Sequence, residues 1–234
     1  MLYTDTYDPD TDFDRWHTLA TAEALTVWIR PGDEVLELGC ATGLMTAELA
    51  ASHALVTAVD HDEVYLHRTA SRGLAGVETH LGDVVRIRFD RTFDHVVAAN
   101  ILHEVDDVPA FLENCRRHLR PAGLLHVSLQ NPASLHRLVG REMGLIADLN
   151  AVSDRGAEYH TLRMFSADEL ATVVERAGFR VVHRGGVLLK PLPNALMAQL
   201  PEEMIRGFIE AAKHAPELAS INYMAFRACD DHAG

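Results

Sequence analysis

Val35-Leu36-Glu37-Leu38-Gly39-Cys40-Ala41-Thr42-Gly43 is an apolar run that carries one carboxylate and then closes on a turn bracketed by two glycines. Val35 to Leu38 reads as a buried strand, and the glycine turn leads into a helix expected from Leu44 to Ser52. Glycine at both ends lets the backbone approach a bound molecule without a Cβ in the way, so the N–H groups of the turn are expected to face a ligand. A strand, a glycine turn and a helix in this order mark a nucleotide-type cofactor site at the edge of a sheet.

Glu37 separates the cofactors that such a turn accepts. A dinucleotide sets a pyrophosphate on the helix N-terminus and disfavours a carboxylate aimed at the same pocket. S-adenosylmethionine carries no phosphate and brings an ammonium and a sulfonium, which an acid suits. A second strand, Val56-Thr57-Ala58-Val59-Asp60, ends in an acid roughly 20 residues beyond the turn, where such folds hydrogen-bond ribose hydroxyls. Gly82-Asp83 follows a third strand, Val77 to Leu81, and places an acid to accept from an adenine amino group. A fourth strand, read from Phe93 towards Val105, leaves Asn100, Ile101, His103 and Glu104 near its C-terminal edge.

The rest of the chain alternates helix-like and strand-like patterns, as an open parallel sheet does. A helix is expected from Asp14 to Arg30, stopped by Pro31-Gly32-Asp33. Another follows Asp107, with Pro109 early and Phe111, Leu112, Cys115 and Leu119 as its buried stripe. Pro121-Ala122-Gly123 then turns the chain into a fifth strand, Leu124 to Leu129. Ser166 and Glu169 form a capping box for a helix ended by Gly178, and late strands are expected near Phe179–His183 and Ser220–Ala228. Between them Met204, Ile205, Phe208, Ile209 and Ala212 outline an amphipathic helix that packs on the core. The stretch 130–165 breaks the alternation and is longer than an ordinary connection, which predicts a substrate-covering insertion. The expected organisation is an N-terminal helical cap (1–32), a cofactor-binding core (33–130), the insertion (131–165) and the C-terminal part of the same α/β domain (166–234).

On these residues the chain resembles the class I S-adenosylmethionine-dependent methyltransferases, in particular their small-molecule, ubiquinone-biosynthesis-like branch. The resemblance covers residues 33–130 through the cofactor motifs and extends more loosely to the C-terminus. It implies an α/β, Rossmann-like methyltransferase fold, with a seven-stranded mostly parallel sheet, helices on both faces and the insertion after the fifth strand. It also implies that the segment Glu37, Gly39, Cys40, Ala41 and Gly43 holds the methionine end, Asp60 the ribose, and Asp83 with Val84 the adenine, with His61 and Gly82 also expected beside the cofactor. Asn100 and Ile101 would floor the sulfonium site, and Trp16 is expected beside the cofactor. Two positions depart from the family pattern: Ala41 replaces the middle glycine of the loop, and the frequent Glu-His pair after the fourth strand stands here as His103-Glu104. Alanine still permits a close approach, whereas the swapped pair leaves the identity of the base open.

Composition narrows the partners. A chain of 234 residues, 48% of them hydrophobic, buries one sizeable core. Its net charge of −13 repels a phosphate backbone, so no nucleic-acid substrate is expected. Arg116-Arg117-His118 reads as a helix C-terminus and not as a nucleic-acid patch. Cys40, Cys115 and Cys229 show no paired spacing, and the aspartate-rich start has neither the charge nor the apolar stretch of a signal peptide. A cytoplasmic protein with a small-molecule acceptor, no membrane partner and a possible homodimer surface is the expectation. Fourteen histidines invite a metal, but their spacings show no paired ligands, and no metal is expected even with Asn131 placed as such sets sometimes place an acid.

Methyl transfer from a sulfonium is an in-line displacement in which positive charge disappears, so Glu37 belongs at the ammonium end and not against the sulfur. A hydroxyl acceptor needs its proton removed. His103 and Glu104 are the first candidates for that role and His136 the next, with Tyr159 and His160 as rivals from the insertion. Asn131, His136, Arg137, Tyr159, His160 and Arg163, joined by Arg141, are the candidate acceptor contacts, suited to an acidic or sugar-like molecule. The expected activity is O- or N-methylation of a metabolite in specialised metabolism. Two alternatives stand beside it: an inactive S-adenosylmethionine-binding regulatory or assembly protein, which would lack a polar cavity under 130–165, and a nicotinamide-dependent oxidoreductase.

Overall fold

The structure is a computed structural model and describes residues 10–153, 156–157 and 160–229. Its elements in chain order are α1 (Arg15–Thr26), β1 (Glu34–Leu38), α2 (Leu44–Ala51), β2 (Leu55–Asp60), α3 (Glu63–Ser71), β3 (Val77–Leu81), β4 (Phe93–Ala99), α4 (Val108–His118) and β5 (Leu119–Gln130). There follow α5 (Leu135–Glu142), α6 (Ala167–Arg176), β6 (Phe179–Val187), the single turn α7 (Asn194–Met197), α8 (Glu202–Ala212) and β7 (Ile221–Ala228). The strands form one sheet in the order β3-β2-β1-β4-β5-β7-β6. The first five run parallel, and β7 pairs antiparallel with both β5 and β6. This is the seven-stranded, mostly parallel Rossmann-like sheet of the methyltransferase fold. The order reverses between β1 and β4, and in open α/β sheets that switch point opens a crevice beyond the strand C-termini.

Period-2 alternation divides the strand side chains between two cores, one on each face of the sheet. Leu36, Leu38, Val96, Ala98, Leu125 and Val127 join Phe111, Leu112 and Cys115 of α4 and Leu170, Ala171 and Val174 of α6. Val35, Val56, Ala58, Val97 and Tyr223 face the other way and join Trp16 and Leu25 of α1, Leu49 of α2 and Ile205 and Ile209 of α8. Phe111 is fully buried, so its truncation to alanine is expected to cost about 3–5 kcal/mol.

Several boundaries differ from the sequence expectations for local reasons. Helix α1 ends at Thr26, leaving Val27 exposed. Strand β4 stops at Ala99 because Asn100 turns left-handed (φ 52°), so His103 and Glu104 lie in the turn beyond it. Strand β5 begins at Leu119, and Pro121-Ala122-Gly123 forms a bulge inside it, where the β4 register jumps between Phe93 and His95. Ala122 takes φ 67° there. The capping box of α6 forms as expected, with Ser166 and Glu169 bonding reciprocally. On α8, Ile205, Ile209 and Ala212 are buried whereas Met204 is half exposed.

The strand histidines join a buried hydrogen-bonded chain. His95 contacts Asp33 (3.2 Å) and His126 (3.0 Å), and His126 reaches the Tyr223 hydroxyl (3.0 Å). Burial, with the charges of His95 and His183, pushes His126 down to about 3 and keeps it neutral. Among the described residues no helix is long and apolar enough to cross a membrane, and no three His, Cys, Asp or Glu side chains cluster to hold a metal ion.

Candidate active site

A cavity of about 450 Å³ opens at the C-terminal edge of β1, β2 and β4, below the segment that follows β5. Its wall includes Glu37, Gly39, Cys40, Ala41, Asp60, His61, Val84, Asn100 and Ile101, the expected methionine, ribose, adenine and sulfonium positions.

The glycine loop is held from behind. Thr69 of α3 donates from its hydroxyl to the Ala41 carbonyl (2.9 Å), and Arg72 donates to the Thr42 carbonyl (2.7 Å). Gly43 needs φ 80°, and a Cβ there would stand 2.8 Å from the Thr69 hydroxyl. Ala41, in place of glycine, adopts φ 45°, and its N–H donates to Asp60 Oδ2 (2.8 Å). This corrects one expectation: the N–H groups of Gly39, Cys40, Ala41 and Gly43 do not face the cavity. The first two donate to the Val59 carbonyl, Ala41 to Asp60 and Gly43 to the Cys40 carbonyl. These amides are already engaged and do not form an anion-binding nest.

The acids define the electrostatics. Glu37 is 2% exposed and accepts from the Thr46 hydroxyl at 2.6 Å. Burial pushes its carboxyl up to about 8, the Thr46 hydrogen bond opposes this, and the charge of Asp60 adds to it. Asp60, also buried, is shifted up by burial against the N–H groups of Asp62 (3.0 Å) and Ala41. Two acids that resist ionisation in an apolar wall suit a cationic ligand, which restores the charge partner that burial removed.

On the wall, Thr42 Oγ1, Asn100 Oδ1, His103 Nδ1, His17 Nε2 and Arg137 Nε are buried polar atoms with no hydrogen-bond partner among the described residues. Buried polar groups are normally satisfied, so this set points to a polar ligand that completes them. Acids at two strand ends, engaged loop amides and unsatisfied side chains fit S-adenosylmethionine, with its ammonium, ribose and sulfonium and no phosphate.

Not every expected residue reaches the wall. Trp16 is 6% exposed within the α1 core, with the guanidinium groups of Arg15 and Arg206 over its ring, and it does not line the cavity. Gly43 lies behind the loop as the N-cap of α2. Gly82 and Asp83 are off the wall; Asp83 is half exposed and accepts from the Val85 N–H (2.8 Å), whereas the adjacent Val84 lines the cavity. His103 is 7% exposed, with Nε2 at 3.4 Å from Glu104 Oε1, and both residues line the cavity.

From the insertion, Asn131, His136 and Arg137 reach the wall together with Ile146, Ser153, Gly156 and Thr161. Asn131 nevertheless acts as a structural pin, since its amide donates to the Glu217 and Ala219 carbonyls and accepts from the Ala133 N–H. Burial pushes the His136 imidazole down to about 3, with Lys190, Arg137 and His17 adding to the shift. So weak a base has little driving force to take a proton at neutral pH, which sets His136 behind His103 as a base. His160 is exposed, Arg163 reaches the Asp106 carbonyl (3.4 Å) and Arg141 pairs with Glu142, all three off the wall. Tyr159 lies outside the described residues.

Sequence reasoning missed a polar group on the wall opposite the acids: Asp14 and His17 from the start of α1, with Lys190 and Asn194 around α7. The pattern Lys-Pro-Leu-Pro-Asn at 190–194, a charged residue in a proline-framed turn, was the available signal.

A protein-family model for a methyltransferase domain matches residues 13–184. Cypemycin N-terminal methyltransferase from a Streptomyces species is 33% identical over 132 residues, covering 52% of this chain and 54% of the relative, so the chain spans about half of that protein's length. A ubiquinone biosynthesis O-methyltransferase from Rhizobium leguminosarum is 26% identical over 193 residues, 80% of this chain and 74% of the relative. A solved S-adenosylmethionine-dependent methyltransferase from Thermotoga maritima, a possible histamine N-methyltransferase, superposes with a TM-score of 0.66 at 18% identity. It covers 92% of this chain and 91% of that one, and the likeness is one of fold.

Proposed function

The chain belongs to the methyltransferase-domain family of class I S-adenosylmethionine-dependent proteins, and on that premise we propose that it methylates an oxygen or nitrogen of a small metabolite in specialised metabolism. The observation that carries the proposal is one continuous cavity. Acids at the β1 and β2 ends line one part of it, and polar side chains from α1, the insertion and the turn before α7 line the rest. A protein that only bound the cofactor would have no use for the second part, so the cavity favours transfer.

When bound, S-adenosylmethionine supplies an electrophilic methyl carbon. Glu37 receives the ammonium, Asp60 the ribose hydroxyls, and Asn100 with Ile101 forms the floor below the sulfur. The described parts of residues 131–165 act as the acceptor cover, of 1–32 as the helical cap through α1, of 33–130 as the cofactor core and of 166–234 as its continuation. By covering the cavity, the insertion excludes water and holds the acceptor in line with the methyl group. His103 is the base: Glu104, 3.4 Å from Nε2, favours the proton there and leaves the buried Nδ1 lone pair to accept the acceptor's proton. Glu104 acts through His103 and is a positioning residue.

The test supplies methyl-labelled S-adenosylmethionine with fractionated metabolite extracts and follows label transfer by mass spectrometry. Compounds gaining one methyl group are expected with the wild-type protein and not with the boiled control. Cofactor binding without any labelled product would instead support the regulatory reading.

A further inference from the structure

The cavity wall carries its cations on other segments than its strand-end acids. Among the described residues on the wall, the acids Glu37, Asp60 and Glu104 stand on or just after β1, β2 and β4, whereas the two cations come from α5 (Arg137) and the segment after β6 (Lys190), with a fourth acid, Asp14, linked to Lys190 through Asn194. The grouping of the two cations is registered by His136, whose imidazole is held neutral by burial and then by the charges of Lys190 and Arg137.

Lys190 is 8% exposed and is positioned by a relay between distant segments. Its ammonium donates to Asn194 Oδ1 (2.7 Å), the Asn194 amide donates to Asp14 Oδ1 (2.8 Å), and His17 Nδ1 stands 3.3 Å from the same carboxylate oxygen. Asp14 thus aligns the lysine through a neutral amide. Arg137 is likewise buried; its Nη2 donates to the Leu149 and Ala151 carbonyls (2.8 Å each), while its Nε–H and His17 Nε2 are buried without a hydrogen-bond partner among the described residues. His17 is neutral, pushed down chiefly by burial.

We infer that the acceptor carries an oxyanion, a carboxylate or phenolate, held between Lys190 and Arg137 with His17 and His136 as neutral imidazole neighbours. Buried cations on a cavity wall bind an anion strongly because water screens them little, and the Arg137 Nε–H has no acceptor among the described residues. The chain's net charge of −13 repels small anions at long range, so a local pair of cations is what admits one. This division of charge between segments orients the acceptor: its anion lies away from Glu37 and Asp60, leaving its nucleophilic atom towards His103. Asp14, His17 and Asn194 are positioning residues for Lys190.

This inference rests on the proposed methyl transfer for the word acceptor, but its test reads binding. Protein saturated with S-adenosylhomocysteine is equilibrated with a metabolite extract, and the retained small molecules are identified by mass spectrometry and sorted by anion exchange. Wild-type protein is expected to retain anions, Lys190→Met to retain the same compounds at least tenfold less, and Lys190→Arg to recover most of the loss. Unchanged S-adenosylhomocysteine affinity and melting temperature show that Lys190→Met is folded. Retention of neutral or cationic compounds only, of none, or equal retention by Lys190→Met overturns the inference. Retained anions that depend on Lys190 but take up no methyl label support it and refute methyl transfer, so the two failures are distinguishable.

Discussion

Glu37→Gln is the most informative perturbation of the cofactor end. With the carboxyl of the ligand-free protein at about 8 and the ligand's ammonium requiring the carboxylate, the binding-competent fraction is about 1% at pH 6, 9% at pH 7 and 50% at pH 8. Relative to Glu37→Gln, apparent affinity then rises roughly 50-fold from pH 6 to pH 8 and flattens above. At pH 7, binding releases close to one proton from the protein, visible as a difference in calorimetric heat between two buffers of unlike ionisation enthalpy. Glu37→Gln keeps the shape of the site and loses both the pH slope and the buffer dependence; titration of the ligand's own amine is common to both proteins and cancels in the comparison. S-adenosylhomocysteine, which retains the ammonium and lacks the sulfonium, is predicted to show the same slope as the methyl donor. A slope confined to the methyl donor would place Glu37 at the sulfur, and equal slopes in wild type and Glu37→Gln would refute its role altogether.

The same carboxyl links pH to folding. Because its native value lies above the ordinary 4.5, the folded protein holds a proton that the unfolded chain releases. Stability at this site is complete below about pH 4.5 and is lost as pH rises towards about 8, so Glu37→Gln is predicted to gain on wild type across that window by up to roughly 4 kcal/mol. Melting curves of the cofactor-free proteins check this, and parallel pH profiles would contradict it. Gly43→Ala forces a side chain into φ 80° and against Thr69, and is predicted to destabilise by about 1–3 kcal/mol in denaturant titrations and to weaken cofactor binding with it. Asp60→Ala removes an acceptor for the Ala41 and Asp62 N–H groups as well as the ribose contact, and a loss of about 1–3 kcal/mol in cofactor affinity is expected by calorimetry. His103→Ala is predicted to lower turnover about 100-fold with cofactor affinity unchanged; near-normal turnover would remove it as the base.

The sheet was legible because its signals are local. Strands β1 and β2 are short, largely apolar runs, and Glu37 and Asp60 stand at or next to their ends, at the edge where a cofactor sits. Helix α3 was not: Glu63 to Ser71 mixes charged and apolar residues, and its clearest mark is Asp62, whose side chain caps the Val64 and Tyr65 N–H groups. Its absence from the reading hid how the glycine loop is clamped, and so the loop amides were expected to face the ligand. The acceptor end was the least legible. Asp14, His17, Arg137, Lys190 and Asn194 come from three segments far apart in the chain, and only the fold brings them to one wall. Asn131 and Trp16 show the converse, since a plausible residue type near the site is engaged elsewhere by pinning carbonyls or by core packing.

The central claim is that strand-end carboxylates, behind a loop whose Gly39, Cys40, Ala41 and Gly43 amides are already engaged, select a phosphate-free cationic cofactor. Parallel calorimetric titrations of the protein with S-adenosylmethionine, S-adenosylhomocysteine and a nicotinamide dinucleotide test it most directly. The account predicts one molecule of either sulfur compound bound per chain and no heat from the dinucleotide; binding of the dinucleotide, or silence from all three, would contradict it.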